Sequence, residues 1–338
     1  MSSSYYVGVD LHKRSYHFSI LDEEGLVVRR GNGRCDGEGI NHLLRHISKQ
    51  HHLVVEPVTN VYWFLDQVKE CSGSVHLAHP LKVRLIAASR IKSDHYDSRV
   101  LADLLRVGYL PEAYVASPEI QDLRSLVHHR QQLVVDRTRT KNRIQNQFAR
   151  HGILFSGTDP FGRRGRQQME EADLDPITRY RVQEMLETLD GLTEKIERAE
   201  RHLAEMTAGD VAVDLLQTIP GIGFVTAVAI RAITGDIDRF GDVKAYGAFT
   251  GLIPASRQSG DHDPAAGITH QGSTLLRTLL VQAAPKFMRY DRASMKLYTR
   301  LCYQGAAQKA RVAVAHRLAR IVYHVWKERR PFFADVEE

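Results

Sequence analysis

The sequence predicts an α/β domain at the N-terminus, followed by two long helices and a mainly helical C-terminal third. Over the first third of the chain, short apolar runs alternate with amphipathic helical segments, which is typical of a sheet covered by helices. From about residue 119 onward, helical spacing continues with few strand signals. We therefore expect three domains, at residues 1–118, 119–208 and 209–338.

The composition is that of an ordinary globular chain with a small basic excess. Of 338 residues, 43% are hydrophobic and 25% charged, and 46 Lys and Arg face 40 Asp and Glu. No apolar run approaches the roughly 20 residues that cross a bilayer, so we expect no membrane contact. The three cysteines, Cys35, Cys71 and Cys302, form no CxxC pair. This spacing argues against a disulfide framework or a cysteine zinc site and favours the cytoplasm.

The first third begins like the meander of an RNase H-like sheet. The run YYVGVD predicts one strand, the alternation of Tyr16, Phe18 and Ile20 predicts a second, and a third starts near Leu26. The later elements are predicted, in order, as a helix at 40–49, a strand ending at Glu56, a helix at 61–69, a strand at 75–78 and a helix at 93–107.

Residues 119–208 contain two amphipathic helices separated by a Gly-, Pro- and Arg-rich break at 157–166. The second helix is predicted from about Asp175 to Met206. Two long helices joined by a loop suggest an antiparallel coiled-coil arm. Such an arm is a common dimerisation device, although the sequence does not name its partner. A final helix is predicted at 308–328, with Val312 and Ile321 among its buried residues.

The arm also contains the densest basic segment of the chain. Between Arg124 and Arg166, only Asp136 and Asp159 are acidic. This distribution favours a polyanion, because each neutralised phosphate releases condensed counterions. A solvated helix face is the alternative. The candidate nucleic-acid-binding residues in this segment are Arg124, Arg130, Arg137, Arg139, Lys141 and Arg143.

Carboxylates follow two of the predicted strands and begin one helix. Asp10 ends the first strand, and Glu56 ends the strand LVVE. Asp94 and Asp97 lie three residues apart near the start of a helix, so both face the same way. These side chains can converge at one edge of the sheet. Singly, each also fits a turn or helix-cap residue, and Asp103 on the same helix belongs to its solvated face.

Converging carboxylates repel one another unless divalent cations neutralise them. Magnesium suits such a site because it is hard, prefers oxygen ligands and retains waters and phosphate oxygens. Two such ions, about 4 Å apart, can hold the attacking and leaving oxygens of a phosphodiester.

Three segments, VGVDLHKRSYHFSIL, VVEPVTNVYWFLDQV and KSDHYDSRVLADLLRVGYLPEAYV, resemble the DEDD transposases of the insertion sequence 110 family. That family includes Piv-type DNA invertases and bridge-RNA-guided recombinases. The similarity continues through DLRSLVHHRQQLVVDRTRTKNRIQNQFARHG and covers nearly the whole chain. It implies a RuvC-like domain whose catalytic, metal-binding tetrad is Asp10, Glu56, Asp94 and Asp97. The chain departs from many relatives at Asn60, where they have Gly, and at Ser98, where they have Ala.

The C-terminal third carries a turn, IPGIG, that resembles a helix-hairpin-helix motif. In that motif, glycines such as Gly221 and Gly223 let the backbone turn tightly and expose amide donors to a phosphate. The alternative is a Pro-Gly turn that packs within a helical core.

The segment FGDVKAYGAFTGLIPASRQSGDHDPAAGITHQGSTLLRTLLVQAA resembles the family's transposase domain. The resemblance implies that Ser259 is the nucleophile, with Ser256 as its nearest competitor. Attack by a serine hydroxyl gives a phosphoserine link that conserves bond energy for rejoining. A basic residue of the family is replaced here by His270 or Gln271. Arg257 and Arg277 are the candidate substitutes for contact with phosphate.

These observations predict a DNA transposase or site-specific recombinase that cleaves and exchanges strands with Mg²⁺ and a serine intermediate. The resemblance implies donor and target DNA, a noncoding guide RNA, and a homodimer or homotetramer at the bacterial nucleoid. Whether RNA selects the sites is left open by the residues. Two alternatives also remain: a RuvC-type structure-specific nuclease without a covalent intermediate, and a non-catalytic nucleic-acid-binding scaffold.

Overall fold

The computed structural model describes residues 4–86, 94–155, 159–253, 268, 272–304 and 306–333, without the side chains of 94 and 95. The chain divides into two compact units, Met1–Val115 and Ala116–Glu338. The first unit is mixed α/β and the second is helical, which confirms the predicted change of class along the chain. Within the described ranges, no helix is long and apolar enough to cross a membrane.

The N-terminal unit contains a five-stranded sheet with the order β3-β2-β1-β4-β5. The first three strands form an antiparallel meander, and β4 and β5 then add in parallel to β1. The strands are β1 (Tyr5–Leu11), β2 (Ser15–Leu21), β3 (Val27–Arg34), β4 (His51–Val55) and β5 (Ser74–Leu77). A parallel neighbour requires a crossover, and helices supply it on each occasion.

Among the described residues of this unit, four helices accompany the sheet: α1 (Ile40–Leu44), α2 (Val61–Val68), α3 (Pro80–Ile86) and α4 (Asp94–Arg106). The prediction of a helix at 40–49 was too long, because the chain leaves the helix after Leu44 and turns into β4. The prediction also missed α3, which begins at a proline, a residue well suited to the first helical turn.

Helix α4 crosses β1 at Gly8, where the two backbones nearly touch. A β-carbon at Gly8 would lie 1.8 Å from the Ser98 carbonyl oxygen and 2.6 Å from the Ala102 nitrogen. Ser98 is fully buried, and its hydroxyl shares a 2.9 Å hydrogen bond with the Ser19 hydroxyl on β2. This partner satisfies the buried hydroxyl of Ser98.

The C-terminal unit begins with α5 (Pro118–Arg150), α6 (Arg163–Glu171) and α7 (Pro176–Met206). Helices α5 and α7 are antiparallel, since Arg130 of α5 pairs with Glu200 of α7 while Phe148 shares an apolar cluster with Val182. The predicted break at 157–166 is not entirely loop, because α6 starts within it and buries Met169 in the same cluster.

Where the structure describes the rest of this unit, six further helices surround an apolar core in which Val314, Leu318 and Val322 are fully buried. They are α8 (Val211–Gln217), α9 (Phe224–Thr234), α10 (Val243–Thr250), α11 (Thr274–Phe287), α12 (Arg292–Tyr303) and α13 (Ala307–Lys327). The predicted last helix is confirmed to within one residue at each end, although Val312 and Ile321 are only partly buried. Residues 254–267 and 269–271, between α10 and α11, lie outside the described residues.

We expect Gly8→Ala to lower the stability of the N-terminal unit by at least about 2 kcal/mol, because α4 must move away from β1 to admit the methyl group. The midpoint of thermal unfolding measures the effect. Gly37→Ala is the matched control, since nothing lies within 4 Å of a β-carbon at that position. Equal midpoints for the two variants would show that the contact at Gly8 does not constrain α4.

Candidate functional site

Asp10 and Glu56 occupy adjacent positions at one edge of the sheet. Strands β1 and β4 are parallel neighbours whose register runs to the pair Val9 and Val55, and each carboxylate follows directly. Side chains alternate along a strand, so Asp10 lies on the same face of β1 as Gly8, the face that α4 covers. Neighbouring strands are about 5 Å apart, so side chains at paired positions on the two backbones can reach one shared ion.

The carboxylate of Asp10 is largely shielded from solvent, with 14% of its side chain exposed. The Nε2 atom of His12 lies 3.4 Å from its Oδ2 atom. Glu56 is partly buried on the neighbouring strand. Desolvation of two acidic groups at adjacent positions is unfavourable unless a positive charge binds there.

Helix α4 contributes the third acidic position. Asp97 is partly buried and precedes Ser98, the residue that contacts Gly8. Asp94 is the first residue of α4, but its side chain lies outside the described part of the structure. In contrast, Asp103 has 51% of its side chain exposed and pairs with Arg106 at 2.7 Å, as expected for the solvated face.

The described side chains include no group of three or more His, Cys, Asp or Glu residues close enough to hold a metal ion. Asp10, Glu56 and Asp97 are therefore not a preassembled three-ligand cluster, and Asp94 is not part of that comparison. The donors at this edge are carboxylate oxygens on two strands and a helix, and oxygen ligands suit a hard divalent cation such as Mg²⁺.

Two of the predicted nucleic-acid-binding residues are bound within the C-terminal unit. Arg124 donates to the carbonyl oxygens of Ala232 and Ile233 at the end of α9, at 3.2 and 3.5 Å. Arg130 donates two hydrogen bonds to one carboxylate oxygen of Glu200, at 3.0 and 2.6 Å. Both side chains stabilise the packing of α5 against other helices of this unit.

The other basic residues of α5 differ in their exposure. Lys141 lies 4.9 Å from the centre of the Phe161 ring, in a cation–π contact, and Arg137 is partly buried. Arg139 has 64% of its side chain exposed and pairs loosely with Asp136, and Arg143 is exposed. At 100° per residue, Arg139 and Arg143 share a helix face with further exposed residues. We call this the outer face of α5, formed by Arg139, Asn142, Arg143, Asn146 and Arg150.

The IPGIG turn joins α8 to α9 and packs against α11. Gly221 has a φ of +93°, and a β-carbon there would lie 2.7 Å from the carbonyl oxygen of Ala283. This contact favours the packing interpretation at Gly221. Gly223 instead caps the start of α9, and nothing lies within 4 Å of its would-be β-carbon. Amide groups at that helix start are suitably placed to bind an anion.

The predicted nucleophile, Ser259, lies outside the described residues, and so do Ser256 and Arg257. Arg277 is described and is 9% exposed. Its guanidinium donates to the Gly272 carbonyl at 3.4 Å and to the Thr274 hydroxyl at 3.1 Å. In this arrangement Arg277 is directed towards the start of α11 rather than towards solvent.

Sequence reasoning gave no role to the turn between β1 and β2, which borders the carboxylate edge. Its residues His12, Lys13 and Arg14 are all exposed. The signal was present in the string DLHKRS, where three basic residue types follow the first candidate ligand within four positions.

Comparison with known families gives two matches that together cover more than half of the chain. A profile of DEDD transposases of the IS110 type matches residues 7–152. A second profile, described as transposases of the IS116/IS110/IS902 family, matches residues 213–300. The first range contains all four predicted metal ligands, and the second contains Ser259 and the IPGIG turn.

Several curated proteins are similar to this chain over nearly their whole length. The transposase of insertion element IS1328 from Yersinia enterocolitica is 26% identical, over 94% of this chain and 96% of the relative. The transposase of IS1111A from Coxiella burnetii is 24% identical, over 94% of this chain and 88% of the relative. The pilin gene-inverting protein of Moraxella lacunata is 24% identical, over 99% of this chain and 100% of the relative. With both profiles matched in order along its length, this chain belongs to the IS110 family of transposases.

Proposed function

We propose that this protein cleaves and rejoins DNA strands through a metal-binding tetrad, Asp10, Glu56, Asp94 and Asp97, and a nucleophilic serine, Ser259. The observation that carries the proposal is the position of Asp10 and Glu56 at the ends of adjacent parallel strands, on the face covered by α4. The match of the DEDD transposase profile to this segment supports the same assignment. We infer that the N-terminal unit is RuvC-like, since an antiparallel meander followed by parallel strands fits that fold.

The tetrad would hold divalent cations, with Mg²⁺ suited to its all-oxygen donors. Bound there, the cations supply charge stabilisation for the attacking and leaving oxygens of a phosphodiester. The protein contributes the rigid placement of the ligands. Strands β1 and β4 hold Asp10 and Glu56 one strand spacing apart, and the contact at Gly8 holds α4, which carries Asp97, against the same face.

Ser259 would act by nucleophilic attack on a backbone phosphate. The Oγ–P bond forms, the bond from phosphorus to one sugar oxygen breaks, and the serine proton is lost while the leaving oxygen gains one. The phosphoserine retains the energy of the broken ester, so that attack by a sugar hydroxyl can rejoin the strands without an external energy source. Conservation of this energy distinguishes strand exchange from hydrolysis.

The antiparallel helices α5 and α7 would form a coiled-coil arm that binds nucleic acid and joins copies of the chain as a homodimer or homotetramer. The outer face of α5 has the composition of a phosphate-binding surface, with three arginines, two asparagines and no acidic residue. Phosphates of DNA and of a noncoding guide RNA would bind there equally well. At the start of α9, free amides near Gly223 would add a contact to a phosphate.

We expect Asp10→Asn and Glu56→Gln each to reduce Mg²⁺-dependent recombination at least about a thousandfold, because several kcal/mol of charge stabilisation are lost. Recombination of a plasmid carrying the gene with its flanking DNA provides the assay. Asp103→Asn is the matched control and should retain full activity, since its carboxylate pairs with Arg106 on the exposed face of α4. Wild-type rates in the Asp10 variant would rule out the tetrad.

Ser259→Ala should abolish both strand exchange and the protein–DNA adduct that survives denaturation, whereas Ser256→Ala should retain both. Mass spectrometry of the nuclease-treated adduct should identify a modified serine at position 259. If Ser259→Ala still cleaves DNA and no adduct forms with the wild type, the protein is a nuclease of the Holliday-junction-resolving type that uses water.

Replacement of two different pairs of arginines on α5 by glutamine should affect DNA binding in one case and the stability of the protein in the other. We expect Arg139→Gln/Arg143→Gln to weaken DNA binding and to lower the slope of log K against log salt by up to about 2, with an unchanged thermal midpoint. Arg124→Gln/Arg130→Gln should instead lower the free energy of unfolding by about 2–3 kcal/mol, because partly buried hydrogen bonds made by charged groups are lost. Fluorescence anisotropy and thermal unfolding measure the two effects, and the opposite pattern would contradict the assignment of the outer face.

A further inference from the structure

The turn between β1 and β2 places three basic residue types beside the carboxylate edge. The amide of His12 donates to the carbonyl of Ser15 at 2.8 Å, which closes a tight turn two residues after Asp10. His12, Lys13 and Arg14 are exposed. Because β1 and β2 pair with Asp10 opposite His17, the turn lies at the edge of the sheet where the carboxylates lie.

This turn is braced by two other elements through its main chain. The carbonyl of His12 accepts hydrogen bonds from the Asn60 side-chain amide and from the Cys35 thiol, both at 3.3 Å. Burial raises the pKa of that thiol, which keeps it protonated as a donor. The Cys35 amide donates to the carbonyl of Arg14 at 3.0 Å. These bonds fix the backbone of the turn and leave its long side chains unconstrained.

The bracing also links the turn to the second strand of the site. Asn60 lies in the loop that follows Glu56 and precedes α2. Its bond to His12 therefore joins the segments after Asp10 and after Glu56. A glycine at position 60 would have no side chain to make this bond, so the identity of Asn60 has a structural consequence.

Lys13 and Arg14 carry charges that no acidic side chain in the described part of the structure neutralises. Among the ion pairs formed by described residues, none involves either side chain, and neither has a further contact of this kind. These cationic side chains are held on a rigid turn, beside acidic groups with which they do not pair. Such an arrangement suits a ligand whose own anionic groups extend beyond the metal site. A nucleic-acid strand is such a ligand, since its phosphates repeat on both sides of the reacting one.

We propose that Lys13 and Arg14 are substrate-positioning residues that bind the phosphates flanking the one held at Asp10 and Glu56. The inference rests on the proposed function of the tetrad. Arg14 would bind a phosphate through its planar guanidinium with two parallel hydrogen bonds, and Lys13 would act as a point charge. Contacts of this kind set the register of a strand without reading its sequence.

The test compares two double variants of the full-length protein, each with two fewer positive charges. Lys13→Gln/Arg14→Gln removes the charges of the turn, and Arg29→Gln/Arg30→Gln removes two exposed charges on β3. Arg29 pairs with Ile20, five residues along β2 from Ser15, which is about 16 Å from the turn. Lys13→Arg/Arg14→Lys keeps both charges and serves as the conservative variant.

The first readout is binding of a DNA duplex from the gene's flanks, measured by anisotropy against KCl in EDTA, so that no catalysis occurs. We expect the turn variant to bind about tenfold more weakly and to lose about 1.8 from the salt slope, roughly 0.9 per phosphate contact. The β3 variant should keep a slope near that of the wild type. The conservative variant should restore the slope, which a merely structural role of the turn would not produce.

The second readout is Mg²⁺-dependent cleavage of the same DNA. We expect the turn variant to raise KM about tenfold while kcat changes less than threefold. If its salt slope and KM both equal those of the wild type, the positioning role is overturned while the tetrad stands. If the wild type does not cleave and Asp10→Asn changes nothing, the proposed function fails, and the salt slope still decides whether the turn contacts phosphate.

Discussion

The close approach of α4 to β1 at Gly8 is the constraint on which the candidate site depends. A glycine in the middle of β1 admits the helix backbone into van der Waals contact, and any side chain there would push the helix outward. The hydrogen bond between the Ser19 and Ser98 hydroxyls fixes the same crossing at its buried centre. Because α4 is rigid, its position at Ser98 also determines where Asp97 lies relative to Asp10. The position of Asp97 thus follows from the backbone packing of its neighbour Ser98 against Gly8.

The basic side chains discussed above fall into two groups: some are bound to oxygen atoms of the protein, and others are exposed to solvent. Arg124 and Arg130 are bound to carbonyl and carboxylate oxygens inside the C-terminal unit, where they hold helices together. The arginines on the outer face of α5 and the basic pair on the β1–β2 turn are exposed to solvent. Exposed cations lose little by exchanging water and counterions for phosphates, and the release of those counterions favours the complex. The partly buried cations Arg124 and Arg130 have already exchanged much of their water for protein oxygens, and their removal destabilises the fold.

Elements with a strong local pattern were predicted well, and elements that depend on distant partners were not. The alternation of Tyr16, Phe18 and Ile20 predicted β2, and the helical spacing around Asp175–Met206 predicted α7 nearly to the residue. Helix α6 was missed because it is polar on most sides and contributes a single apolar side chain, Met169, to the buried cluster that it shares with α5 and α7. Arg277 remains a candidate for contact with phosphate, and in the structure its largely buried guanidinium donates to Gly272 and Thr274. The sequence alone does not distinguish arginines that are bound within the protein from arginines that are exposed, because the partner can be distant in the chain. Glu200, for example, is 70 residues from Arg130.

By itself the sequence determined the class of each third of the chain, the strand-end positions of Asp10 and Glu56, and the resemblance to the DEDD transposases. All of these depend on spacing within one segment, where periodicity and order along the chain carry the information. Only the tertiary structure decided that Asp10 and Glu56 are neighbours on one face, that Asn60 braces the turn after Asp10, and which arginines are exposed. Those properties arise from contacts between segments that are distant in the chain. Strand register, helix crossing and burial give different positions to side chains whose local sequence pattern is the same.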